Sequence, residues 1–179
     1  QIIPAVELVS SYATWEPMIA LFAANARRFD LASYDHILFS YHGLPQRQLR
    51  KADAFNHCLQ SSDCCRTLTP TNQFCYSAQC YATTRAIAEK LGLEQARYSV
   101  CFQSRLGRDP WTQPYTVRTI ENLAQSGAKR LLVFCPAFAM GAVFMDNPQP
   151  CAAPFRGRTR PVPHILRTGR AAGHARPPW

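Results

Sequence analysis

The sequence predicts an α/β fold in which a parallel sheet is covered by helices on both faces. Two observations lead to this prediction. Short, almost continuously apolar runs alternate along the chain with longer segments in which apolar residues recur at helical spacing. The connections between them are short, and strands that alternate with helices pair in parallel through right-handed crossovers. With 179 residues, the chain has room for one such domain.

The first helix is expected to begin after Thr14, because a hydroxyl side chain can accept hydrogen bonds from the free amides of a helix start. Pro17 falls in the first turn, where no amide donor is needed. Apolar residues then recur up to Arg27; they are Met18, Ile19, Leu21, Phe22 and Ala23.

The first strand is predicted for residues 36–41, which are almost all apolar, as in a strand covered on both faces. It ends at residues 42–45, His-Gly-Leu-Pro. Residues 46–75 are polar, contain several cysteines and show no period, so a loop is predicted there.

The next helix is predicted for residues 77–91, where apolar residues recur at helical spacing, and Gly92 suits a left-handed cap at its end. A second strand is expected at residues 98–102. A further helix follows at residues 116–126, and a third strand at residues 131–135.

Residues 1–140 are assigned to the α/β part, and residues 141–179 are predicted to be an aberrant, disordered tail rich in arginine and proline. From position 151 onward the chain holds five of its 14 prolines, six of its 20 basic residues and no acidic residue. Two explanations are open, a genuine basic arm and a change of reading frame. The excess of arginine over lysine, 17 to 3, favours the second.

The net charge of +9 is largely a property of this tail. Residues 1–150 hold 14 basic and 11 acidic residues, a net charge of +3, so the charge does not indicate a nucleic-acid partner. The longest apolar run, residues 131–145, is broken by Pro136 and Gly141 and is shorter than the roughly 20 residues of a membrane span. No transmembrane segment is expected. The chain begins at Gln1 without a signal peptide, which predicts a fragment of a cytoplasmic protein.

His42 is the strongest candidate for chemistry, because ligands of open parallel sheets bind beyond the carboxyl ends of the strands. Imidazole groups exchange protons near physiological pH and also bind metals. Gly43 would allow the backbone to bend so that the ring faces a cleft. The alternative is a structural histidine at a strand end.

A second set of candidates follows the second strand. Gln103, Ser104 and Arg105 offer an amide, a hydroxyl and a fixed cation, which together suit a carboxylate ligand. Trp111 and Tyr115 add apolar walls that could stack on a planar ligand. The alternative is an ordinary polar loop with a packed tryptophan.

Three segments stand out in order along the chain: residues 37–45 (ILFSYHGLP), 102–115 (FQSRLGRDPWTQPY) and 133–138 (VFCPAF). Together they resemble the C-terminal half of ferrochelatases, which insert ferrous iron into a porphyrin to make haem. The resemblance covers about residues 8–140. It implies one lobe of a two-lobed, chelatase-like enzyme, with protoporphyrin or coproporphyrin bound between the lobes and at most peripheral contact with a membrane.

By this resemblance His42 is the active-site histidine, which takes protons from the pyrrole nitrogens or delivers the ferrous iron substrate. Trp111 matches a tryptophan that lines the cleft. The other residues predicted to contact the porphyrin are Tyr41, Gln103, Ser104, Arg105 and Tyr115.

The sequence also departs from the family pattern. The family continues after Pro-Ala-Phe into a segment with a glutamate that faces the histidine, whereas this chain has no glutamate after Glu121. The family's Gly-Asp-Pro-Tyr is replaced by Ala-Asp-Ala-Phe at residues 52–55. The N-terminal lobe is expected to be absent. These departures predict weak porphyrin binding and leave the activity of this chain in question.

Five of the eight cysteines lie within residues 58–80. In a chain without a signal peptide, clustered thiols favour a metal or a cluster over disulfides, and the spacing is not that of a zinc ribbon. The segment resembles an insertion of some bacterial ferrochelatases that holds a two-iron, two-sulfur cluster on four thiolates. The predicted ligands are Cys58, Cys65, Cys75 and Cys80, with Cys64 as the alternate to Cys65. Zinc and free thiols are open alternatives, and Cys101 and Cys135 are expected in the core.

Three functions are therefore compared. The first is porphyrin metallation with His42 as base or iron ligand. The second is a non-catalytic iron-sulfur or zinc-binding remnant of a degraded ferrochelatase gene. The third is a polyanion-binding protein that acts through its arginine-rich tail.

Overall fold

The computed structural model describes residues 6–136 and, in the backbone, residues 142–146. The helices and strands, in chain order, are α1 (Glu16–Ala26), β1 (His36–His42), α2 (Gln46–Ala52), α3 (Tyr76–Leu91), β2 (Tyr98–Gln103), α4 (Thr116–Gln125), β3 (Arg130–Phe134) and β4 (Ala142–Asp146). Short 3₁₀ helices lie at Leu31–Ser33, Pro70–Asn72 and Gln95–Arg97.

The strands form one sheet in the order β2–β1–β3–β4. β1 pairs in parallel with β2 up to its last residue, so that His42 lies opposite Gln103. On its other side β1 pairs in parallel with β3 only as far as Phe39, which lies opposite Phe134. The predicted α/β fold with a parallel sheet is confirmed, and β1 is its central parallel strand.

An antiparallel edge strand, which the sequence did not predict, extends the sheet. β4 runs back along β3, with Ala142 opposite Phe134. The connection over residues 135–141 is too short for the crossover that a parallel neighbour requires, so the chain returns antiparallel. This strand falls within the predicted tail, whose other residues, 141 and 147–179, lie outside the described residues.

The side chains of β1 alternate between two hydrophobic cores, one on each face of the sheet. Ile37 and Phe39 pack with side chains of α1 and α3 in the larger core. Leu38 packs on the opposite face with Ile120 of α4 in the smaller core. Because helices cover both faces, residues 36–41 are all buried, and a continuously apolar run is what such a strand requires.

Two helices end just before glycines with a positive φ, at positions where the sequence predicted helix ends. α3 ends at Leu91, and Gly92 has the left-handed backbone of a helix cap, with φ of 67°. Gly127 likewise has a positive φ, of 94°, two residues after the end of α4.

No helix within the described ranges is long and apolar enough to cross a membrane.

Two local predictions are wrong. α1 begins at Glu16, with Trp15 rather than Thr14 at its N-cap and no side-chain cap, because Thr14 lies in the preceding turn. Residues 46–52, predicted as loop, form α2. They read Gln-Arg-Gln-Leu-Arg-Lys-Ala, all good helix formers, but two turns are too few to show a period.

Candidate active site

His42 lies at the carboxyl end of the central strand, as the sequence predicted. It is exposed, whereas the six residues before it in β1 are buried. The ring of Trp111 lies beside the imidazole, with centroids 6.5 Å apart and planes inclined by 65°. The imidazole is thus accessible to a ligand and bordered by an aromatic ring, as expected of a proton acceptor at the edge of a cleft.

Trp111 is half-buried and held by hydrogen bonds. Its indole N–H donates to the carbonyl oxygen of Leu106 over 2.9 Å. Its backbone amide donates to the hydroxyl of Tyr115 over 3.4 Å, and its carbonyl accepts from the side-chain amide of Gln46 over 3.3 Å. These contacts fix the position of the indole ring relative to His42.

The turn after β1 packs closely on the loop before α4. The Gly43 amide donates to the carbonyl oxygen of Gln103 over 2.8 Å. The Leu44 amide donates to the Thr112 hydroxyl over 3.1 Å, and the Thr112 amide donates to the Leu44 carbonyl over 2.9 Å. A Cβ at position 43 would lie 2.8 Å from the Gln103 carbonyl oxygen and 3.1 Å from Thr112 Oγ1. Glycine is needed here for space, not for the bend that the sequence suggested.

Replacing Gly43 with alanine is expected to lower the free energy of unfolding by about 2–3 kcal/mol. The carbonyl oxygen of Gln103 cannot move away from the new methyl group without losing the hydrogen bond that it accepts from the amide of residue 43. Urea unfolding measures the change. The control is Gly107→Ala, where a Cβ meets nothing within 4 Å and only the left-handed backbone opposes it, at about 1 kcal/mol. An equal or smaller loss for Gly43→Ala would contradict the close packing.

The other predicted site residues lie at the same edge of the sheet. Gln103 ends β2, directly opposite His42 of β1. Ser104 follows with a left-handed backbone, φ 70°. The exposed guanidinium of Arg105 lies 5.2 Å from the ring centroid of Tyr115. An amide, a hydroxyl, a cation and an aromatic ring therefore follow β2 at the edge that bears the candidate histidine.

Tyr41 occupies a different environment from the one predicted. Its side chain lies in the larger core and is 4% exposed. Its hydroxyl is 2.8 Å from the hydroxyl of Thr84 in α3. Burial raises the pKa of Tyr41 well above its ordinary value. Because side chains alternate along β1, Tyr41 faces the core while the next residue faces outward, which gives Tyr41 a structural role instead of the predicted ligand contact.

Tyr76 contacts the candidate histidine, although the sequence did not indicate it. Its hydroxyl donates a hydrogen bond to the backbone carbonyl oxygen of His42 over 2.8 Å. Tyr76 is the first residue of α3 and is half-buried. The two residues are 34 positions apart, and no local pattern relates a tyrosine at a helix start to a strand end. The contact arises only from the packing of α3 on the sheet.

Four cysteines gather beside the start of α3. The Sγ of Cys65 lies 3.6 Å from that of Cys75 and 3.4 Å from that of Cys64. Cys58 packs with Cys75 in a small buried cluster. We call Cys58, Cys64, Cys65 and Cys75 the cysteine group. Cys58 and Cys75 are buried, and the other two are half-buried.

Two polar side chains order the loop that carries this group. The buried Asn72 donates from its side-chain amide to the carbonyl oxygens of Cys64 and Thr67, each over 2.9 Å. The carboxylate of Asp53 accepts the backbone amide of Cys58 over 2.7 Å, and this bond lowers the pKa of Asp53. The aspartate of the altered Ala-Asp-Ala-Phe segment therefore fixes the first cysteine of the group.

Cys75 is the acidic thiol of the group. Its pKa is lowered to about 6, chiefly by the hydrogen bond from Cys65 and also by the backbone amide of Ala78 in the first turn of α3. The same hydrogen bond raises the pKa of Cys65. Burial raises the pKa of Cys58 to about 12. Of these three thiols, Cys75 therefore has the lowest pKa, because Cys65 donates a hydrogen bond to it.

Cys80, also predicted as a ligand, packs in the larger core and is 4% exposed, whereas Cys58 and Cys75 pack in a separate small cluster. Burial raises the pKa of Cys80 to about 12, and Cys75 adds to this rise. Of the two alternates Cys64 and Cys65, both belong to the group. Cys101 lies in the smaller core as expected, and Cys135 packs against that core.

The described residues contain no set of three or more His, Cys, Asp or Glu side chains arranged as a metal site. Within the cysteine group, the sulfur of Cys65 lies within hydrogen-bonding distance of the sulfurs of Cys64 and Cys75.

Comparison with known proteins gives consistent matches. A family model described as ferrochelatase matches residues 1–143. A ferrochelatase of Opitutus terrae is 52% identical over 120 residues, which are 66% of this chain and 34% of that protein. One of Ectopseudomonas mendocina is 46% identical over 121 residues, 67% of this chain and 36% of that protein. One of Pseudomonas entomophila is 45% identical over 127 residues, which are 70% of this chain and 38% of that protein. The chain spans about a third of the length of these curated relatives.

Proposed function

The chain belongs to the ferrochelatase family, and from this membership we propose that it acts in haem synthesis as a lyase that inserts ferrous iron into a porphyrin. Because the chain spans about a third of its relatives, this activity is a proposal for it and not a finding. The observation that supports it best is the exposed imidazole of His42 at the carboxyl end of β1, beside Trp111.

The proposed role of His42 follows from the chemistry of the substrate. A porphyrin carries two pyrrole N–H protons, which must leave before a divalent metal can bind the four nitrogens. An imidazole accepts such protons efficiently at neutral pH when it lies within hydrogen-bond reach of the donor. We assign this role to His42, with ferrous iron as the second substrate.

Residues around His42 are proposed to hold the macrocycle. Trp111 is fixed by its hydrogen bonds and offers a flat apolar surface to one side of the porphyrin. Arg105, which lies over Tyr115 at the rim, is suited to the carboxylate groups of the porphyrin side chains. Gln103 and Ser104 are proposed as further polar contacts.

Metallation by the purified chain tests this function. Protoporphyrin and coproporphyrin are each incubated anaerobically with ferrous iron, with and without the chain, and the loss of free porphyrin is followed by fluorescence. Catalysed metallation of one of them is expected, and the faster reaction identifies the substrate. A rate equal to the uncatalysed rate for both would reject catalysis by this chain and favour the alternative of a non-catalytic remnant.

We further propose that the cysteine group binds a two-iron, two-sulfur cluster. Four cysteine sulfurs from two parts of the chain lie together, and four is the number of thiolates that such a cluster needs. The hydrogen bond from Cys65, which lowers the pKa of Cys75, favours the thiolate form at one of them. When bound, the cluster supplies a one-electron redox centre.

We also propose that the chain works in a reducing compartment such as the cytoplasm, because the cysteines of the described residues are free thiols and form no disulfides.

Substitution of single cysteines is expected to separate ligands from core residues. Cys64→Ser and Cys75→Ser should each lose the visible absorbance, iron and sulfide of the anaerobically purified chain. Cys80→Ala should keep all three, because Cys80 lies in the core. Iron and sulfide analysis with absorbance spectra measures this. Loss of iron in Cys80→Ala with retention in Cys64→Ser would restore the ligand set predicted from sequence, and an iron-free parent that holds zinc would replace the cluster with zinc.

A further inference from the structure

We propose that Tyr76 is a positioning residue for His42, which it holds through the hydrogen bond from its hydroxyl to the His42 carbonyl oxygen. The inference rests on the proposed role of His42 as the base. It adds a residue of the cysteine-rich region to the machinery of the site, since Tyr76 directly follows Cys75 in the chain.

The end of β1 needs such support. β2 pairs with β1 as far as His42, but the pairing of β1 with β3 stops at Phe39, which lies opposite Phe134. The last residues of β1 therefore extend beyond β3. A donor that reaches the carbonyl of His42 restrains the same residue that carries the imidazole, so any shift of this carbonyl moves the ring as well.

Tyr76 is well placed to act as a fixed donor. Its backbone begins α3, a 16-residue helix whose residues Ile87 and Ala88 are buried against the sheet. Its ring packs against the larger core. The hydroxyl is thus carried by a side chain that is anchored by both the helix and the core, and its distance of 2.8 Å to the carbonyl oxygen is that of a good hydrogen bond.

Cys80 lies one turn further along α3, in the larger core against which the ring of Tyr76 packs. Its side chain therefore helps to hold the ring whose hydroxyl reaches the carbonyl oxygen of His42.

The position of His42 matters because proton transfer requires the base within about 2.6–3.2 Å of the donor, and a displacement of about 1 Å can cost roughly 100-fold in rate. Tyr76→Phe removes the hydroxyl alone and keeps the packed ring. We expect it to lower kcat for metallation by roughly tenfold, with KM for the porphyrin changed less than about twofold, because the binding surface at Trp111 is not altered.

The experiment compares the full chain with Tyr76→Phe and with Tyr81→Phe, a second tyrosine of α3 that contacts Arg66 instead. Nuclear magnetic resonance of histidine-labelled protein records the His42 ring signals and their cross-peaks to Trp111. Tyr76→Phe should shift the signals and weaken the cross-peaks, whereas Tyr81→Phe should not. Cys80→Ala removes a thiol from the core against which the Tyr76 ring packs, so it should cause a smaller shift in the same direction, and it serves if Tyr76→Phe does not fold.

The outcomes separate this inference from the proposed function. If the parent chain fails to metallate porphyrin, the proposed function is rejected, and the ring signals still decide whether Tyr76 positions His42. Signals and kcat that are the same in Tyr76→Phe and the parent would overturn the inference. A parallel loss of kcat and rise of KM, with unshifted His42 signals, would also overturn it, since that pattern indicates a general structural role.

Discussion

Replacing His42 with alanine is expected to lower the rate of porphyrin metallation by about 10²–10⁴-fold relative to the parent chain, the usual contribution of a positioned acid or base. The imidazole is the group at the carboxyl end of β1 that can accept a pyrrole proton, and alanine leaves water to do so. KM for the porphyrin should change little, because Trp111 is held by Leu106 and Gln46 rather than by the imidazole.

The folded state should tolerate this substitution. His42 is exposed, and the hydrogen bond from Tyr76 goes to its backbone carbonyl, which alanine retains. Metallation is measured anaerobically with and without added imidazole, which should restore part of the lost rate by replacing the missing base in solution. A His42→Ala chain that metallates at the parent rate would remove this residue from the mechanism.

Replacing Phe39 with alanine is expected to lower the free energy of unfolding by about 3–5 kcal/mol. Phe39 is fully buried at the middle of β1. Its ring stacks on that of Phe134, with centroids 5.8 Å apart, and meets the ring of Tyr98 edge-on at 5.9 Å. The substitution removes contacts to both neighbouring strands and leaves a cavity within the larger core. Since domains of this size are stable by about 5–15 kcal/mol, a large share of the stability is lost.

Chemical denaturation followed by circular dichroism measures this loss. The matched control is Phe74→Ala, because Phe74 is 56% exposed and its removal should cost less than about 1 kcal/mol. Similar denaturation midpoints for Phe39→Ala and Phe74→Ala would contradict this prediction. They would show that the cavity collapses, or that the larger core contributes less to the free energy of unfolding than its burial indicates.

The sequence was sufficient to predict those elements in which burial imposes a pattern along the chain. The apolar run that became β1 is continuous because both of its faces are covered. Gly92 and Gly127 marked helix ends because a positive φ favours glycine. His42 could be selected because the carboxyl ends of parallel strands are where ligands bind. The family resemblance drew on motifs at this same edge.

The sequence was insufficient where contacts join distant segments. The pairing of Tyr76 with His42 depends on how α3 packs, as does the position of Cys80 in the larger core. Spacing alone could not choose between Cys64 and Cys65, because the loop before α3 has no regular geometry. α2 was missed because two turns show no period. β4 was missed because residues 141–179 were assigned to the tail, although residues 142–145, Ala-Val-Phe-Met, are apolar like those of the buried strands.

The central position of β1 has a consequence for the order in which the sheet can form. Both of its parallel neighbours follow it in the chain, β2 by about 60 residues and β3 by about 95. At a synthesis rate of about 5–20 residues per second, β1 leaves the ribosome seconds before either neighbour exists. An apolar strand with two open edges is a template for pairing with other chains. The strand that bears His42 therefore stays open to pairing with other chains until both of its neighbours have been made.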